Sequence, residues 1–434
     1  MAEPLIDAGA RKRIREDIRT GMAVEAAAGT GKTWEMVERI LSLVRSGVPL
    51  RRIAAITFTE KAAAELELRV REELERAFKD ERDAIMNGGA DTPVGRNKGD
   101  KSVASTKHDA ERFAAALAEL DTAQISTIHA FALSLLKERP VEAGVDPEAR
   151  IMDEVQDALW FNDAWVRWIE GLGPEDFAVV SRALRLGLSR DHLEAAARDL
   201  AKNRDVAEIL REQLEKGKRI TPDQLVKELE DLAAKAEKLL NECEKEILNR
   251  DDNGFCASRD WHACISGLAK EPEEWPLFER VLRIGDKEIS VAKGSKKNWK
   301  SEKFNEERKA RLWEARADLE ALQAKARALI MDDVLLLLSR FVGEDWSKRR
   351  SAGLINFQDV LILARDLLTH PAAREYYQRR WSHLLVDEFQ DTDPLQVEII
   401  DLLFGDNPKG LFLVGDPKQS IYRFRRADIS IYRI

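Results

Sequence analysis

The segment richest in possible chemistry is Ala26-Ala27-Ala28-Gly29-Thr30-Gly31-Lys32-Thr33. Gly29 and Gly31 let backbone N–H groups curl around phosphate oxygens. Lys32 can reach the β- and γ-phosphates of a nucleotide, and the Thr33 hydroxyl is placed to ligate Mg²⁺. The strict G-x-x-x-x-G-K-[ST] spacing fails only at its first position, where Ala26 stands for Gly. Ala27, Ala28, Gly29, Thr30, Gly31, Lys32 and Thr33 are therefore the candidate nucleotide cradle. The competing reading is a helix entry with chance glycines.

An acidic counterpart lies 355 positions on (387 − 32), at Leu384-Leu385-Val386-Asp387-Glu388. An apolar strand that ends in adjacent carboxylates can hold Mg²⁺ through one and polarise a water with the other. Asp387 is assigned to the metal and Glu388 to the general base. Alone, such a run is often only a strand terminus; paired with the phosphate loop it gains force.

Two further segments offer groups for nucleic acid. In Thr57-Phe58-Thr59-Glu60-Lys61, hydroxyls at a helix start suit backbone phosphates, and Phe58 offers a stacking face. An N-cap with a core aromatic would explain the same residues. Gly415-Asp416-Pro417-Lys418-Gln419-Ser420-Ile421-Tyr422-Arg423-Phe424-Arg425 follows another apolar run. There the Gln419 amide can sense a γ-phosphate, Tyr422 and Phe424 can stack on bases, and Arg423, Arg425 and Arg426 add positive charge. A charged surface turn is the bland alternative.

These groups need elements that position them. Met22–Glu25 and Ile53–Phe58 read as short strands, each followed by a helical pattern, Thr33–Ser46 and Lys61–Phe78. Gln124–Thr127 is a third strand-like run, and His383–Val386 and Leu411–Val414 read as buried parallel strands. Strand–turn–helix repeats of this kind imply a parallel α/β sheet. Asn87–Lys107 reads as a mobile loop or linker. From about Ile151 to Arg350 strand signals vanish and helical periods dominate. Leu225, Leu229, Leu232, Ala236, Leu239 and Cys243 step as a heptad seam, and Leu312, Leu319, Leu322, Ala326 and Leu329 continue it in a later helix. A long helical hairpin or coiled-coil-like arm is the expectation. Between the two helices, Lys293, Lys296, Lys297, Lys300 and Lys303 surround Trp299, which is either a phosphate-contacting patch or a solvated loop with one anchoring Trp. The helical region interrupts one α/β domain.

Composition narrows the classes. The chain has 434 residues, and 70 Lys+Arg against 79 Asp+Glu leave a net charge of −9. A surface coated in basic residues is excluded, although local grooves that bind nucleic acid are not. Three cysteines without C-x-x-C spacing argue against a disulfide scaffold or a four-cysteine metal site. No long uncharged apolar run suggests a membrane span, and the charged N-terminus has no secretory apolar core. A cytoplasmic location is expected.

The motifs, taken in order, resemble those of the superfamily 1 UvrD/Rep-type DNA helicases, and most closely the branch containing the RecB and AddA helicase–nucleases. AAAGTGKT at 26–33 is similar to motif I and TFTEKAAAEL at 57–66 to motif Ia. STIHAF at 126–131 is similar to the T-x-H segment, VDEFQDTDPLQ at 386–396 to motif II, and GDPKQSIYRFRRAD at 415–428 to motif III. Ile355-Asn356-Phe357-Gln358-Asp359-Val360 resembles the stretch before motif II. The resemblance implies a RecA-like P-loop NTPase parallel sheet, subdomain 1A, from residues 1–150 and 350–434. A large all-helical insertion, subdomain 1B, would occupy 151–349. It implies ATP and Mg²⁺ as cofactors, with Lys32, Glu388 and Gln419 as catalytic residues and Gln419 coupling the γ-phosphate to DNA. Thr57, Phe58, Thr59, Lys61, Thr127, His129, Tyr422, Phe424 and Arg425 are then candidate contacts to single-stranded DNA. Implied partners are single-stranded DNA and its junctions with duplex, a second RecA-like half in the same or another chain, and a companion protein like AddB or RecC, in DNA repair or recombination.

Three positions depart from the pattern. Where the family carries a Gln that reads adenine, this chain has Arg11-Lys12; Arg426 stands where Gly is usual; and the sequence reaches Ile434 just past motif III. The expectation is therefore the N-terminal half of a motor, weakly hydrolytic alone and unable to separate strands. A nucleotide-gated DNA-binding module without motor activity is the alternative. A scaffold using the heptad arm ranks third, because Lys32, Thr33, Asp387, Glu388 and Gln419 form a complete set.

Overall fold

The structure is a computed structural model that describes residues 7–27, 29–87, 103–269, 274–285, 291 and 294–416. It divides into two compact units, Met1–Asp153 with Ala352–Ile434, and Glu154–Ser351.

The first unit is built on five parallel strands. They are β1 (Met22–Glu25), β2 (Ile53–Thr57), β3 (Gln124–Thr127), β6 (His383–Val386) and β7 (Leu411–Gly415), in the order β1-β7-β6-β2-β3. Val24 sits beside Val414, and Ile56 beside both Val386 and Ser126. A parallel sheet is covered on both faces, so its inner strands are continuously apolar; all five residues of β2 are buried. Met36, Val37, Ile40 and Val44 on helix Lys32–Arg45 pack with Leu66, Val70 and Leu74 of helix Glu60–Asn87 and with Leu385, Phe412 and Val414 of the sheet. A pair of two-residue strands, β4 (Arg150–Ile151) and β5 (Leu354–Ile355), zips in parallel where the chain departs for residue 154 and where it returns after 351. A single unit is thus assembled from chain segments separated by about two hundred residues.

The second unit is helical. Its longest element, Glu302–Ser351, has 50 residues, about 75 Å at 1.5 Å per residue. The N-terminal part of that helix presents Leu312, Leu319, Leu322, Ala326 and Leu329 to a core shared with Leu225, Leu229, Leu232, Leu239 and Cys243 of helix Pro222–Glu246. Its later part presents Val334, Leu338 and Phe341 to a separate core with Phe161, Trp165, Leu193 and Ala197.

The two heptad seams share one core, but not as a bare pair of helices. The segment between them folds into helices of its own, Asn253–Leu268 and Glu274–Arg283, and contributes Phe255, Trp261, Ile265, Leu277 and Phe278 to the same core. Three of the four described lysines around Trp299 are engaged with neighbours, and Lys297 is the exception. Lys296 pairs with Glu302 and Lys303 with Glu307, and the Lys300 amine donates to the Lys245 carbonyl. Trp299 is buried and donates from Nε1 to Asp252 at 3.2 Å. Lys293 lies outside the described residues. The Asn87–Lys107 stretch is helical from Val103 onward, and 88–102 are outside the described residues.

Candidate functional site

The candidate site gathers at the carboxyl ends of the strands, where open α/β sheets place ligands. After β1 the backbone turns through Gly29 (φ 74°) and Gly31 (φ 87°), left-handed angles that suit glycine. The Thr30 hydroxyl donates to the Ala27 carbonyl at 2.7 Å, which tightens the loop. Helix Lys32–Arg45 begins directly after Gly31, so its unpaired N–H groups and positive dipole end face the turn. Thr33 is half-buried in the helix's first turn. Ala28 lies outside the described residues.

Strand β6 delivers the acidic residues. The Asp387 N–H donates to the Ile56 carbonyl at 2.9 Å, which prolongs the ladder by one residue. The chain then turns sharply at Glu388, whose φ of 52° is the one positive value at a non-glycine among the described residues. Such backbone costs of order 1–3 kcal/mol and recurs at functional sites. The turn aims the Glu388 carboxylate at the phosphate loop, and Lys32 Nζ lies 3.0 Å from Glu388 Oε2. Asp387 is 8% exposed. Burial, and next the charge of Glu388, push its carboxyl up to about 6. Asp391 is likewise raised, first by burial and then by Glu388. Acids held this way gain from a nearby cation, which restores the charged form. A glycine cradle that opens a helix, a lysine ammonium and a buried carboxylate together fit a nucleoside triphosphate with Mg²⁺.

Gln390 enters the sequence reading only as part of motif II. Its buried amide donates to Glu388 Oε2 at 2.7 Å and to Asp391 at 3.2 Å, and its Oε1 accepts from the Asp416 N–H at 2.8 Å. One side chain therefore ties the end of β6 to the end of β7.

Arg11 enters it only as a position without glutamine. It lines a cavity of about 240 Å³ beside the phosphate loop, together with Ala27, Thr30, Lys32 and Glu35. It donates to the Thr30 carbonyl at 2.6 Å and to Glu35 at 2.8 Å, and Arg15 joins the same Glu35 at 2.7 Å. The i, i+4 spacing of Arg11 and Arg15 on helix Ala8–Glu16 is the signal that could have found it.

The candidate nucleic-acid residues separate into two groups. Thr57 and Thr127 are buried, and their hydroxyls are engaged internally. Thr57 donates to the Thr59 carbonyl at 3.1 Å. Thr127 donates to Glu60 at 2.9 Å and caps helix Ile128–Glu138 by accepting from the Ala130 N–H. These two hydroxyls position the loops after β2 and β3 and do not face solvent. Each hydroxyl, expected as a DNA contact, is spent here on a neighbouring turn. Thr59 and Lys61 are exposed, and Thr59 also caps helix Glu60–Asn87 through the Ala62 N–H. Phe58 and His129 are half-buried. His129 meets Phe357 edge-on at 5.8 Å, and Phe357 is 49% exposed, which places a surface aromatic beside it. Gln419, Tyr422, Phe424 and Arg425 lie outside the described residues.

The UvrD/REP helicase N-terminal domain family matches residues 7–433, and the chain belongs to it. Similar proteins include the A-subunit of the ATP-dependent helicase/nuclease of Latilactobacillus sakei, 26% identical over 94% of this chain and 48% of that protein. The proteins of the same name from Pediococcus pentosaceus and Staphylococcus aureus are each 26% identical over 94% of this chain and 34% of theirs. The chain thus spans between about a third and a half of these relatives' lengths. Among the described residues, no helix is long and apolar enough to cross a membrane.

Proposed function

We propose that this chain is the nucleotide-binding half of an ATP-driven DNA helicase motor of the AddA helicase/nuclease type. The observation that carries the reading is the meeting of Lys32 and Glu388, 356 positions apart, at 3.0 Å. In this reading Ala27 to Thr33 cradle the phosphates, Thr33 and Asp387 hold the metal, and Glu388 takes the proton of the attacking water. A bound Mg²⁺ would neutralise charge on the β- and γ-phosphates. Lys32 is paired with Glu388. When the ammonium turns to phosphate oxygens, the carboxylate is freed for water. Gln419 is assigned to sensing the γ-phosphate.

Residues 1–150 and 350–434 are the RecA-like subdomain 1A in this reading, and 151–349 the inserted subdomain 1B. Phe58, Thr59, Lys61, His129, Tyr422, Phe424 and Arg425 serve single-stranded DNA, with Thr57 and Thr127 holding their loops. A second RecA-like half, in the same or a partner chain, would supply cationic groups from across the cleft, and a protein like AddB or RecC is the expected companion in DNA repair or recombination.

The test is binding of a fluorescent ATP analogue with Mg²⁺ to the chain and to Lys32→Ala. Loss of binding by at least tenfold in the variant is expected. Equal binding would refute the site.

A further inference from the structure

A second concavity lies at the opposite edge of the same sheet. Arg51 and Arg52 precede β2, Gln124 opens β3, and Trp381 precedes β6; with Arg139, Tyr376, Arg379 and Arg380 they line a cavity of about 880 Å³. The phosphate loop, Asp387, Thr57 and Thr127 all sit at the carboxyl ends of these strands. The five residues of β2 put about 16 Å between the two edges, at 3.3 Å per residue. The cavity is therefore separate from the proposed nucleotide site.

Its lining holds five arginines and one carboxylate, Glu375, in a chain whose net charge is −9. Four of the arginines lean on carboxylates: Arg51 on Glu119, Arg139 on Glu142, Arg379 on Glu375 and Arg380 on Glu138. Arg51 and Arg379 are 66% and 77% exposed, and exposed pairs of this kind exchange partners at little cost. Arg52 has no carboxylate partner among the described residues and reaches only the Arg379 carbonyl, at 3.5 Å. The Arg139 Nε is buried without a hydrogen-bond partner among them. The Arg139 guanidinium lies 4.2 Å from the centre of the Tyr376 ring, and that residue is 39% exposed.

We propose that this cavity is a second nucleic-acid site, which takes the phosphodiester backbone of a single strand with a base against Tyr376. Every cation is arginine, whose planar fork takes two phosphate oxygens at once. Arg139 covers one face of the Tyr376 ring, and the exposed part of the ring can take an unpaired base. An acidic peptide would find the same charges but no use for that ring.

The inference rests on the reading of the chain as a DNA-binding protein, so its test must fail separately. Anisotropy of a labelled oligothymidine is measured against salt for the wild type and for the double variant Arg52→Gln, Arg379→Gln. Circular dichroism and fluorescent-ATP binding verify the fold. Binding about tenfold weaker in the variant is expected. Its dependence of log K on log salt should be shallower by about 1.4, at about 0.7 per phosphate contact on a single strand. An unchanged affinity and slope overturn this site alone, whereas a wild-type chain that binds no oligonucleotide overturns this site and the DNA-binding reading together. Displacement of the oligonucleotide by poly-L-glutamate as effectively as by unlabelled DNA, at equal charge, also overturns the proposal in favour of an acidic protein partner.

Discussion

Replacing Glu388 by Gln separates binding from hydrolysis. The side chain keeps its size, and the amide oxygen still accepts from the Lys32 amine, so the loop is not disturbed. The variant removes the negative charge that holds Lys32 at 3.0 Å. Lys32 is 9% and Glu388 38% exposed, and an ion pair open to solvent on its carboxylate side contributes about 1 kcal/mol. A nucleotide must break that pair to recruit Lys32. The variant should therefore bind ATP more tightly, by up to about fivefold at 1.4 kcal/mol per tenfold. Hydrolysis should move the other way. Removing a general base lowers the rate by about 10²–10⁴-fold. The assay is a titration with a fluorescent ATP analogue, paired with single-turnover hydrolysis of labelled ATP in the presence of Mg²⁺ and a single-stranded oligonucleotide. Hydrolysis at the wild-type rate would refute the base assignment. ATP binding weakened tenfold would refute the competition between carboxylate and phosphate for Lys32.

Asp252 is a buried carboxylate that accepts from the N–H groups of Gly254 and Ser295 at 2.8 and 2.6 Å, from Asn298 at 2.9 Å and from Trp299 at 3.2 Å. Asp252→Ala loses a helix cap and several hydrogen bonds to a charged acceptor, so urea unfolding of the helical unit should show a loss of about 3 kcal/mol; a loss under about 1 kcal/mol would refute this role. His383 is held down to about 4, first by burial and then by the charges of Arg39 and Arg52, against an ordinary 6.5. The unfolded chain thus takes up this proton first, and the stability the neutral ring contributes above pH 6.5 is lost progressively as pH falls toward 4. The loss is about 3 kcal/mol. His383→Gln should flatten melting temperature against pH across that window, and an unchanged profile would count against it. Thr127→Val removes a cap and the bond to Glu60, and should lower stability by about 1–2 kcal/mol. Thr127→Ser should restore it with oligonucleotide binding intact; a serine variant that is stable but binds no DNA would return Thr127 to the contact surface.

Strands β1, β2, β6 and β7 were legible because each is a short, largely apolar run that stops at a residue of different character, whereas β4 and β5, two residues each, carry no such signal. Met22–Glu25 halts before the alanines and glycines of the phosphate loop, and His383–Val386 before Asp387. Helix ends were less legible. Helix Glu60–Asn87 runs well past the expected Phe78, because spaced charges such as Glu65–Arg69 and Glu73–Arg76 suit a helix without marking its end. Pairing was not legible at all. β1 lies beside β7, almost 390 residues away, and nothing local to Met22–Glu25 says so. Among the proposed site residues, types and spacing pointed to Lys32, Asp387 and Glu388, because phosphate and metal chemistry restrict them to few kinds. They could not reveal burial. Thr57 and Thr127 have the right chemistry for DNA, yet their hydroxyls are consumed by neighbouring turns. Arg11 has the wrong chemistry for the expected amide, yet it lies against the phosphate loop because Glu35, on the first turn of the next helix, pulls it there.

The position of Gln390 limits how the site can move. It is 4% exposed, so each end of its amide must be satisfied by a protein group. The donor end is shared between Glu388 and Asp391, and the acceptor end takes the Asp416 N–H. The ends of β6 and β7 cannot separate without stranding a buried amide, which costs about 1–3 kcal/mol. Lys32 and Gln390 bond to the same oxygen of Glu388. If Lys32 leaves that oxygen for a phosphate, as the proposed function requires, Gln390 becomes its remaining partner, and its other end grips Asp416. On the proposed reading, the residue after β7 is thus linked to the phosphate loop through a single side chain, without any movement of the sheet.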